Sequence, residues 1–503
     1  MQQQSAYCAA TIKNIQIWKL IFGRLGAKPD HSGITCARSR GVRSFKTATV
    51  CAVAALALSV SSVSAETLQQ ALALAYQNNP TLNAARAGLR ATDENVSQAL
   101  SGYRPTVNGT ASATRQWTSI EQFSGSAKRN ETNSTNLGLQ VDQILFRGMR
   151  TKNGVKKAES AVLASRATLE NTEQTVLFDV ASAYMDVLQN QAILELRKQN
   201  VSFLQEQVRS AKDRFAVGET ISTDVAQAEA RLSGAISQVN LAKANLASSR
   251  ATYQQLVGKK PGKLAAGYSV DKLFPRKLNS AISSALTEHP AIRASQHNID
   301  IAQMDVKLAE GELLPTLSVR GTAARSWQDQ SSRGSSAEQT TNSASIMGTL
   351  SVPIYQGGRV SSKVRQAKET LGQRRIQLDL SRDQVRAAVI SAWSIYEASI
   401  PQISAAQAQV EASRLALRGV IEERGVGQRT TLDVLNSQGE LIDARISLVT
   451  AQRDRIVASF RIASAIGRLT SNRLDLPVAR YDTKKHYKQV RDKWYGLRTP
   501  DGR

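Results

Sequence analysis

Two long stretches of the chain carry apolar residues at a regular seven-residue spacing. The first, residues 149 to 212, contains no proline, and a helix of that length reaches about 96 Å. The second is residues 359 to 422. A heptad spacing is typical of helices that pack lengthwise, so both stretches are predicted to be long bundled helices. The apolar positions are Val155, Val162, Leu169, Val176 and Ala183 in the first, and Val364, Leu371, Leu378, Val385 and Ala392 in the second.

Four shorter segments alternate between apolar and polar residues, as β-strands with one buried face do. Strands of about 10 to 13 residues with one apolar face have the size that crosses an outer membrane at a tilt. The connecting residues 118 to 135 and 328 to 342 are polar, and they are predicted to be exposed loops outside the cell. The predicted strands are about 105–117, 136–146, 315–327 and 343–355.

Four strands cannot close a barrel by themselves, because their edges would stay unpaired in lipid. Two chains would supply eight strands and three would supply twelve, and about eight leave an interior filled by side chains. Twelve can enclose a lumen, so the strand pattern favours a pore shared by several copies. The aromatic residues predicted at strand ends form a membrane belt or are ordinary sheet aromatics; they are Trp117, Phe146, Trp327 and Tyr355.

The two halves of the chain repeat each other. Residues 66 to 258 match residues 276 to 467 at an offset of 209 to 210. Each repeat is predicted to contain a helix, two strands, a very long helix, a tight turn and a return helix, giving a mainly α fold with transmembrane β-strands. The predicted helices are about 67–103, 149–212 and 222–257 in the first repeat, and about 278–313, 359–422 and 431–466 in the second.

An apolar run at residues 48 to 60 follows basic residues and precedes the small residues Val63, Ser64 and Ala65. This order is typical of a secretory signal peptide, so residues 1 to 65 are predicted to be a leader. The mature chain is expected to have no transmembrane helix, because no other run approaches about 18 apolar residues. It is also expected to have no disulfide, since the three cysteines, Cys8, Cys36 and Cys51, lie in the leader.

The formal charge of +24 is concentrated at the two ends of the chain. Eight Lys/Arg against one Asp in the leader give +7, and ten against four Asp in residues 468 to 503 give +6, which leaves +11 on the body. This spread does not indicate a nucleic-acid-binding face. Residues 470 to 503 form a basic C-terminal extension outside the duplication, either a belt on the outside of the helices or a mobile segment. Its aromatic residues are Tyr481, Tyr487, Trp494 and Tyr495.

The sequence gives no support for an enzyme. Outside the leader the histidines are His289, His297 and His486, which form no metal-ligand spacing and no catalytic triad. No nucleotide-binding fingerprint is present either. We therefore expect no cofactor and no metal.

Six short motifs, arranged in the same order in the two halves, resemble the TolC family of outer-membrane efflux proteins. The resemblance covers nearly all of residues 66 to 467. The motifs are NNP at 78–80 and EHP at 288–290, LFRGMR at 145–150 and IYQGGR at 354–359, and the turns FAVGETISTDV at 215–225 and RGVGQRTTLDV at 424–434.

The resemblance implies a homotrimer in the outer membrane of a Gram-negative bacterium. A twelve-stranded barrel would continue into a periplasmic tunnel of twelve helices, as a passive duct for efflux or type I secretion. A periplasmic adaptor and an inner-membrane RND or ABC transporter would dock at the helix tips and open them. A periplasmic coiled-coil adaptor or a structural rod would use long helices too, but an adaptor should also carry compact soluble β domains.

The resemblance further implies roles for residues near the turns. Asp433 and Asn436 fall at the pore constriction, where the best-known member has two aspartates, so a trimer would carry three carboxylates there instead of six. The alternative for Asp433 is that it only begins the return helix, where a carboxylate favours the helix dipole. Asp224 has the same alternative.

Gating links and adaptor contacts are implied in the same way. Arg429 matches a gating arginine, and Thr223 with Asp224 match its partners. Arg424 replaces the usual tyrosine, and we expect it to form an ion pair with Asp224. The turn glycines Gly218 and Gly427 are expected to adopt positive φ and to contact the adaptor.

Overall fold

The computed structural model describes residues 65–121, 127–332 and 335–502. The predicted leader, except residue 65, lies outside the described residues. The first repeat contains α1 (Leu68–Asn78), α2 (Pro80–Leu100), β1 (Thr106–Glu121), β2 (Ala127–Arg147), α3 (Arg150–Ala216) and α4 (Ser222–Val257). The second contains α5 (Leu278–Glu288), α6 (Pro290–Glu310), β3 (Thr316–Ser332), β4 (Ser335–Ser351), α7 (Arg359–Gly425) and α8 (Thr431–Ile466). A short helix, α9 (Lys485–Val490), follows.

The first predicted helix of each repeat is in fact two helices. The prediction of one helix over 67–103 is wrong because α1 ends before Asn79, which has extended backbone angles (φ −61°, ψ 124°). The prediction over 278–313 fails in the same way at His289. In both places a proline follows, and it disfavours the helical conformation of the residue before it. Each proline then occupies the first turn of the next helix, where its missing N–H is no loss.

The four strands form one antiparallel sheet in the order β1-β2-β3-β4. The predicted loops 118–135 and 328–342 are largely strand, because β1 pairs with β2 as far as Glu121 and Ala127, and β3 with β4 as far as Ser332 and Ser335. The ladder is made by backbone groups, so it continues where both faces are polar and the alternation of side chains is lost. Conversely, β4 ends at Ser351 and not at 355, since Pro353 cannot donate to a ladder.

The corrected strand bounds move the aromatic residues relative to the strand ends. Trp117 lies inside β1, opposite Glu131, and Trp327 lies inside β3, opposite Thr340. Tyr355 lies beyond the end of β4. Of the aromatic residues predicted at strand ends, only Phe146 lies next to the last residue of a strand.

The two long helices α3 and α7 have 67 residues each, which corresponds to about 100 Å. They run a few residues past their predicted ends at 212 and 422. Each turns into its return helix through a tight turn, so α3 with α4 and α7 with α8 form two helical hairpins. Among the described residues, no helix combines the length and apolarity needed to span a membrane.

The largest apolar core lies where α1, α2 and the middle of α3 meet the ends of α4 and α8. Its fully buried side chains include Leu72, Leu177, Tyr253 and Phe460. A smaller core joins α5, α7 and the end of α8. The C-terminal extension packs on the first of these cores through Leu476 and the aromatic rings of Tyr481 and Tyr487, so it is not a free segment.

Candidate functional site at the hairpin tips

The two hairpin turns have the same backbone geometry. Gly218 and Gly427 both have φ near +80°, a conformation that side chains with a Cβ rarely adopt. In each turn the glycine N–H donates to the carbonyl three residues earlier at 3.1 Å, and the next N–H donates to the carbonyl five residues earlier at 2.9 Å. These bonds satisfy carbonyl groups left open at the helix end and reverse the chain within a few residues.

Both tips present apolar side chains to solvent. Phe215, Val217 and Ile221 are exposed at the first tip, and Val426 is exposed at the second. No heavy atom lies within 4 Å of the place where a Cβ would stand on either Gly218 or Gly427. The tips are therefore open on one side and expose apolar side chains to solvent.

Asp433 forms a capping box with Thr430 at the start of α8. Its carboxylate accepts from the Thr430 N–H at 2.9 Å and from the Thr430 hydroxyl at 2.8 Å, and its own N–H donates back to that hydroxyl at 3.2 Å. The bond from the Thr430 N–H, then the hydroxyl and nearby Arg429, hold the pKa of Asp433 below its usual value. The carboxylate is therefore charged at neutral pH while it caps the helix.

Asn436 lies next to an arginine of the other hairpin. The Arg231 guanidinium donates to the Asn436 side-chain oxygen at 2.9 Å, and both residues are exposed. This contact was not predicted from the sequence. The available signal was that Arg231 follows Asp224 by seven residues, which puts both on one face of α4.

The predicted ion pair between Arg424 and Asp224 is wrong for contacts within one chain. Arg424 reaches α3 instead and donates to the Gln207 side chain at 2.8 Å, while Asp224 accepts from the Thr220 hydroxyl of its own turn. Burial, followed by the charge of Arg214, lowers the pKa of Arg424. A neutral amide on α3 therefore takes the place of the predicted carboxylate.

The remaining predicted residues lie at the same two tips. Arg429 donates to the Glu423 carboxylate at 2.8 Å, on the same hairpin. Thr223 is exposed in the first turn of α4 beside Asp224. Thus Arg429 and Asp433 are brought together at the second tip, and Thr223 and Asp224 at the first.

In the described residues, no three His, Cys, Asp or Glu side chains lie close enough together to hold a metal ion. The contacts found at the tips are helix caps, ion pairs and hydrogen bonds between side chains.

Comparisons with known proteins identify the family. The model of the outer membrane efflux protein family matches residues 71–259 and 281–468, one match in each repeat. The outer membrane efflux protein BepC of Brucella suis is 46% identical over 438 residues, which cover 87% of this chain and 93% of BepC. The outer membrane protein TolC of Escherichia coli is 27% identical over 425 residues, which cover 82% of this chain and 84% of TolC.

The fold also matches a solved structure. The CmeC outer membrane channel of Campylobacter jejuni superposes with a TM-score of 0.70 at 18% identity, over 84% of this chain and 89% of CmeC. The channel interpretation is therefore confirmed over the adaptor or rod that the long helices alone would allow. By these matches in both repeats, the chain belongs to the outer membrane efflux protein family of transport channels.

Proposed function

We propose that three copies of this chain form one passive exit duct in a tripartite efflux or type I secretion system. The observation that carries this proposal is the open four-stranded sheet. β1 and β4 each have a strand neighbour on one side only, so their outer edges carry unpaired backbone groups. Three copies would join these edges into a closed ring of twelve strands, the size that encloses a lumen.

The exposed apolar residues of the sheet support a position in lipid. Leu137 and Leu139 of β2 and Ile346 and Leu350 of β4 are all exposed in one chain. A soluble protein rarely leaves so many large apolar side chains uncovered in one sheet. The outward face of the barrel would place them against the lipid of the outer membrane.

The hairpin tips are the proposed contact with a periplasmic adaptor and an inner-membrane RND or ABC transporter. Gly218 and Gly427 leave the turns uncovered, and the valines Val217 and Val426 project beside them. The energy for transport would come from the partner pump, so the duct needs no cofactor of its own.

The pore constriction is proposed at Asp433 and Asn436. In a trimer Asp433 would supply three carboxylates, and Arg231 would set a positive charge beside each Asn436. The mouth would therefore bind cations more weakly than a ring of six carboxylates. The proposed gating links are Arg424, Arg429, Thr223 and Asp224. In the closed trimer, Arg429 would leave Glu423 and bind Thr223 and Asp224 at the first tip of a neighbouring copy.

Two measurements test this function. Light scattering of the detergent-purified channel should give the mass of three chains, and a monomer would contradict the proposal. In planar bilayers, Asp433→Ala should weaken block of the single-channel current by multivalent cations. Asp383→Ala is the matched control, because it removes an exposed carboxylate from α7 about 40 residues from the tip and should leave block unchanged. Equal block in the wild type and Asp433→Ala would place the constriction elsewhere.

A further inference from the structure

The C-terminal extension contains a loop that lies where the helices meet the sheet. We call residues 493–498 the C-terminal loop. The Lys493 carbonyl accepts from the Ser97 hydroxyl at 3.2 Å and from the Arg104 guanidinium at 2.8 Å. Arg104 stands two residues before β1 begins at Thr106. The loop is therefore held at the membrane end of α2.

The C-terminal loop is built into the fold on both sides. Before it, the His486 ring lies 3.0 Å from the buried Asp93 carboxylate, and Val490 is fully buried. After it, Asp501 returns to Arg90 at 3.9 Å. The Lys493 ammonium donates to the Arg498 carbonyl at 2.6 Å and closes the loop.

The tip of the C-terminal loop exposes three large apolar side chains in succession. Trp494 is 67% exposed, Tyr495 is 91% exposed and Leu497 is fully exposed. One face of the Trp494 ring lies over the Arg104 guanidinium, 4.7 Å from the ring centre. Gly496 has φ of +107°, which lets the chain turn between the exposed residues. Removing such large apolar side chains from water is favourable, so this arrangement indicates something that covers them.

The charges around the tip indicate what that partner is. Residues 488–498 hold Lys488, Arg491, Lys493 and Arg498 against Asp492, and Glu159 lies 4.0 Å from Arg491, so the local charge remains positive, at +2. Trp and Tyr favour the interface between lipid chains and water, and basic residues favour the phosphates at the same depth. The adjacent Tyr103 is also exposed, so the apolar and aromatic surface continues toward the sheet.

We propose that the C-terminal loop is an interfacial membrane anchor. It inserts Trp494, Tyr495 and Leu497 among the phospholipid headgroups of the periplasm-facing leaflet of the outer membrane, while Lys493 and Arg498 bind the phosphates. A protein partner fits less well, because six residues offer far less than the roughly 800 Å² per side of a stable protein interface. The anchor fixes the height of the helices below the sheet.

A single fluorescent label tests the anchor. Residues 52–503 contain no cysteine, so the full channel purified from outer membranes without its leader accepts one site-specific label. Tyr495→Cys, labelled with the polarity-sensitive dye NBD, is placed in phospholipid nanodiscs. Glu219→Cys at the first hairpin tip is the matched control. The label at 495 should emit at shorter wavelength than the control and should be quenched at least about twofold more by lipids spin-labelled at the headgroup.

Two results would overturn the anchor. Emission like that of the control, with no quenching by lipid, would show a loop in water. Short-wavelength emission without quenching by spin-labelled lipid would show that protein, such as a second copy, covers the loop. Arg498→Gln then tests the headgroup contact without removing the Lys493 bond that closes the loop. Quenching in anionic nanodiscs should fall below that of the labelled protein with Arg498 intact, and equal quenching of the two would contradict the phosphate contact.

Discussion

The two longest helices occupy matching places in the two repeats but are covered to different extents. α3 and α7 are both 67 residues long, yet seventeen residues of α3 are buried in one chain and only eight of α7. Large apolar side chains are correspondingly exposed at two positions of α3 and at seven of α7. Those on α7 are Ile376, Leu380, Ile390, Ile395, Ile400, Leu415 and Ile421.

The two long helices differ because they have different neighbours within the chain. α3 is covered by α1, α2, α4, α6 and α8 of its own chain. The exposed residues of α7 would be covered by the next copy in a trimer. In the proposed trimer, the second repeat would therefore supply the surface on which subunits assemble.

The largest expected effect comes from alanine substitutions that compare a buried side chain of α3 with an exposed side chain of α7. Leu177→Ala, at a side chain with 0% exposure on α3, should lower the free energy of unfolding by about 2–5 kcal/mol. Leu380→Ala, at a side chain with 55% exposure on α7, should leave the fold of the subunit intact and lower the temperature at which the trimer dissociates. Near-ultraviolet circular dichroism follows the first change and semi-native electrophoresis the second. An unchanged dissociation temperature for Leu380→Ala would remove this α7 face from the interface.

The second prediction compares the residues that cap α2 and α6. Asn79 and His289 hold equivalent positions, and the His289 ring nitrogen accepts from the Ala291 N–H at 3.2 Å. Burial, and then the charge of Arg293, lowers the pKa of His289 from 6.5 to about 4. The unfolded chain therefore takes up this proton first as the pH falls. The neutral ring contributes fully to the free energy of unfolding above pH 6.5. As the pH falls from 6.5 to about 4, this contribution is lost and the free energy of unfolding decreases by about 3 kcal/mol.

His289→Asn should remove this acid sensitivity, because it installs the cap of the first repeat, which does not titrate. Thermal melting between pH 7 and pH 4 measures the difference from the wild type. Asn79→Ala is the reference for simple loss of a cap, about 1 kcal/mol at every pH. The same acid-dependent decline in His289→Asn as in the wild type would assign the pH dependence to other groups.

The third prediction concerns the contact between the two hairpins. Asn436→Asp restores a second carboxylate and creates an ion pair with Arg231. Block of the channel by multivalent cations should become tighter by about fivefold, the effect of one unit charge near 4 Å in water. Adding Arg231→Gln should tighten it further, because the neutralising charge is gone. Single-channel recording with graded cation concentrations gives both values, and no change in either variant would place Asn436 away from the pore.

The smallest expected effect on stability lies within the second tip. Arg429→Ala breaks an exposed pair with Glu423 and should leave the free energy of unfolding nearly unchanged, because exposed ion pairs contribute little. If Arg429 also links neighbouring copies, the same variant should admit vancomycin into cells. Arg414→Ala is the matched control, because it breaks an exposed pair with Glu411 on α7, away from the tip. Equal susceptibility to vancomycin in the two variants would contradict the gating role of Arg429.

The residue patterns were sufficient to predict the long helices and the two-faced strands, because a heptad seam and a two-residue alternation each impose one backbone geometry. The polar ends of the strands were missed, since backbone pairing past Thr118 leaves no trace in side-chain polarity. The helix breaks at Asn79 and His289 were missed as well. The one sequence signal for each break was the proline that follows, and helical residues extend on both sides of it.

Side-chain partners at the tips were harder to predict than elements. A helix start at Asp433 could be considered from the sequence, because a carboxylate favours the N-terminal end of the helix dipole. The contacts of Arg424 with Gln207 and of Arg231 with Asn436 join helices more than 200 residues apart. Such partners depend on the rotation of one helix against another, which a seven-residue spacing constrains only approximately.

The incomplete sheet has a consequence for how the channel reaches its membrane. Three meeting chains would have to seal their strands together, so insertion into lipid and assembly become one event whose rate rises steeply with the number of chains present. Before that event, the Ser- and Thr-rich stretches of the strands would keep the exposed ladder compatible with water. Substitutions that make these stretches more apolar would therefore be expected to cause aggregation during export and not to damage the finished pore.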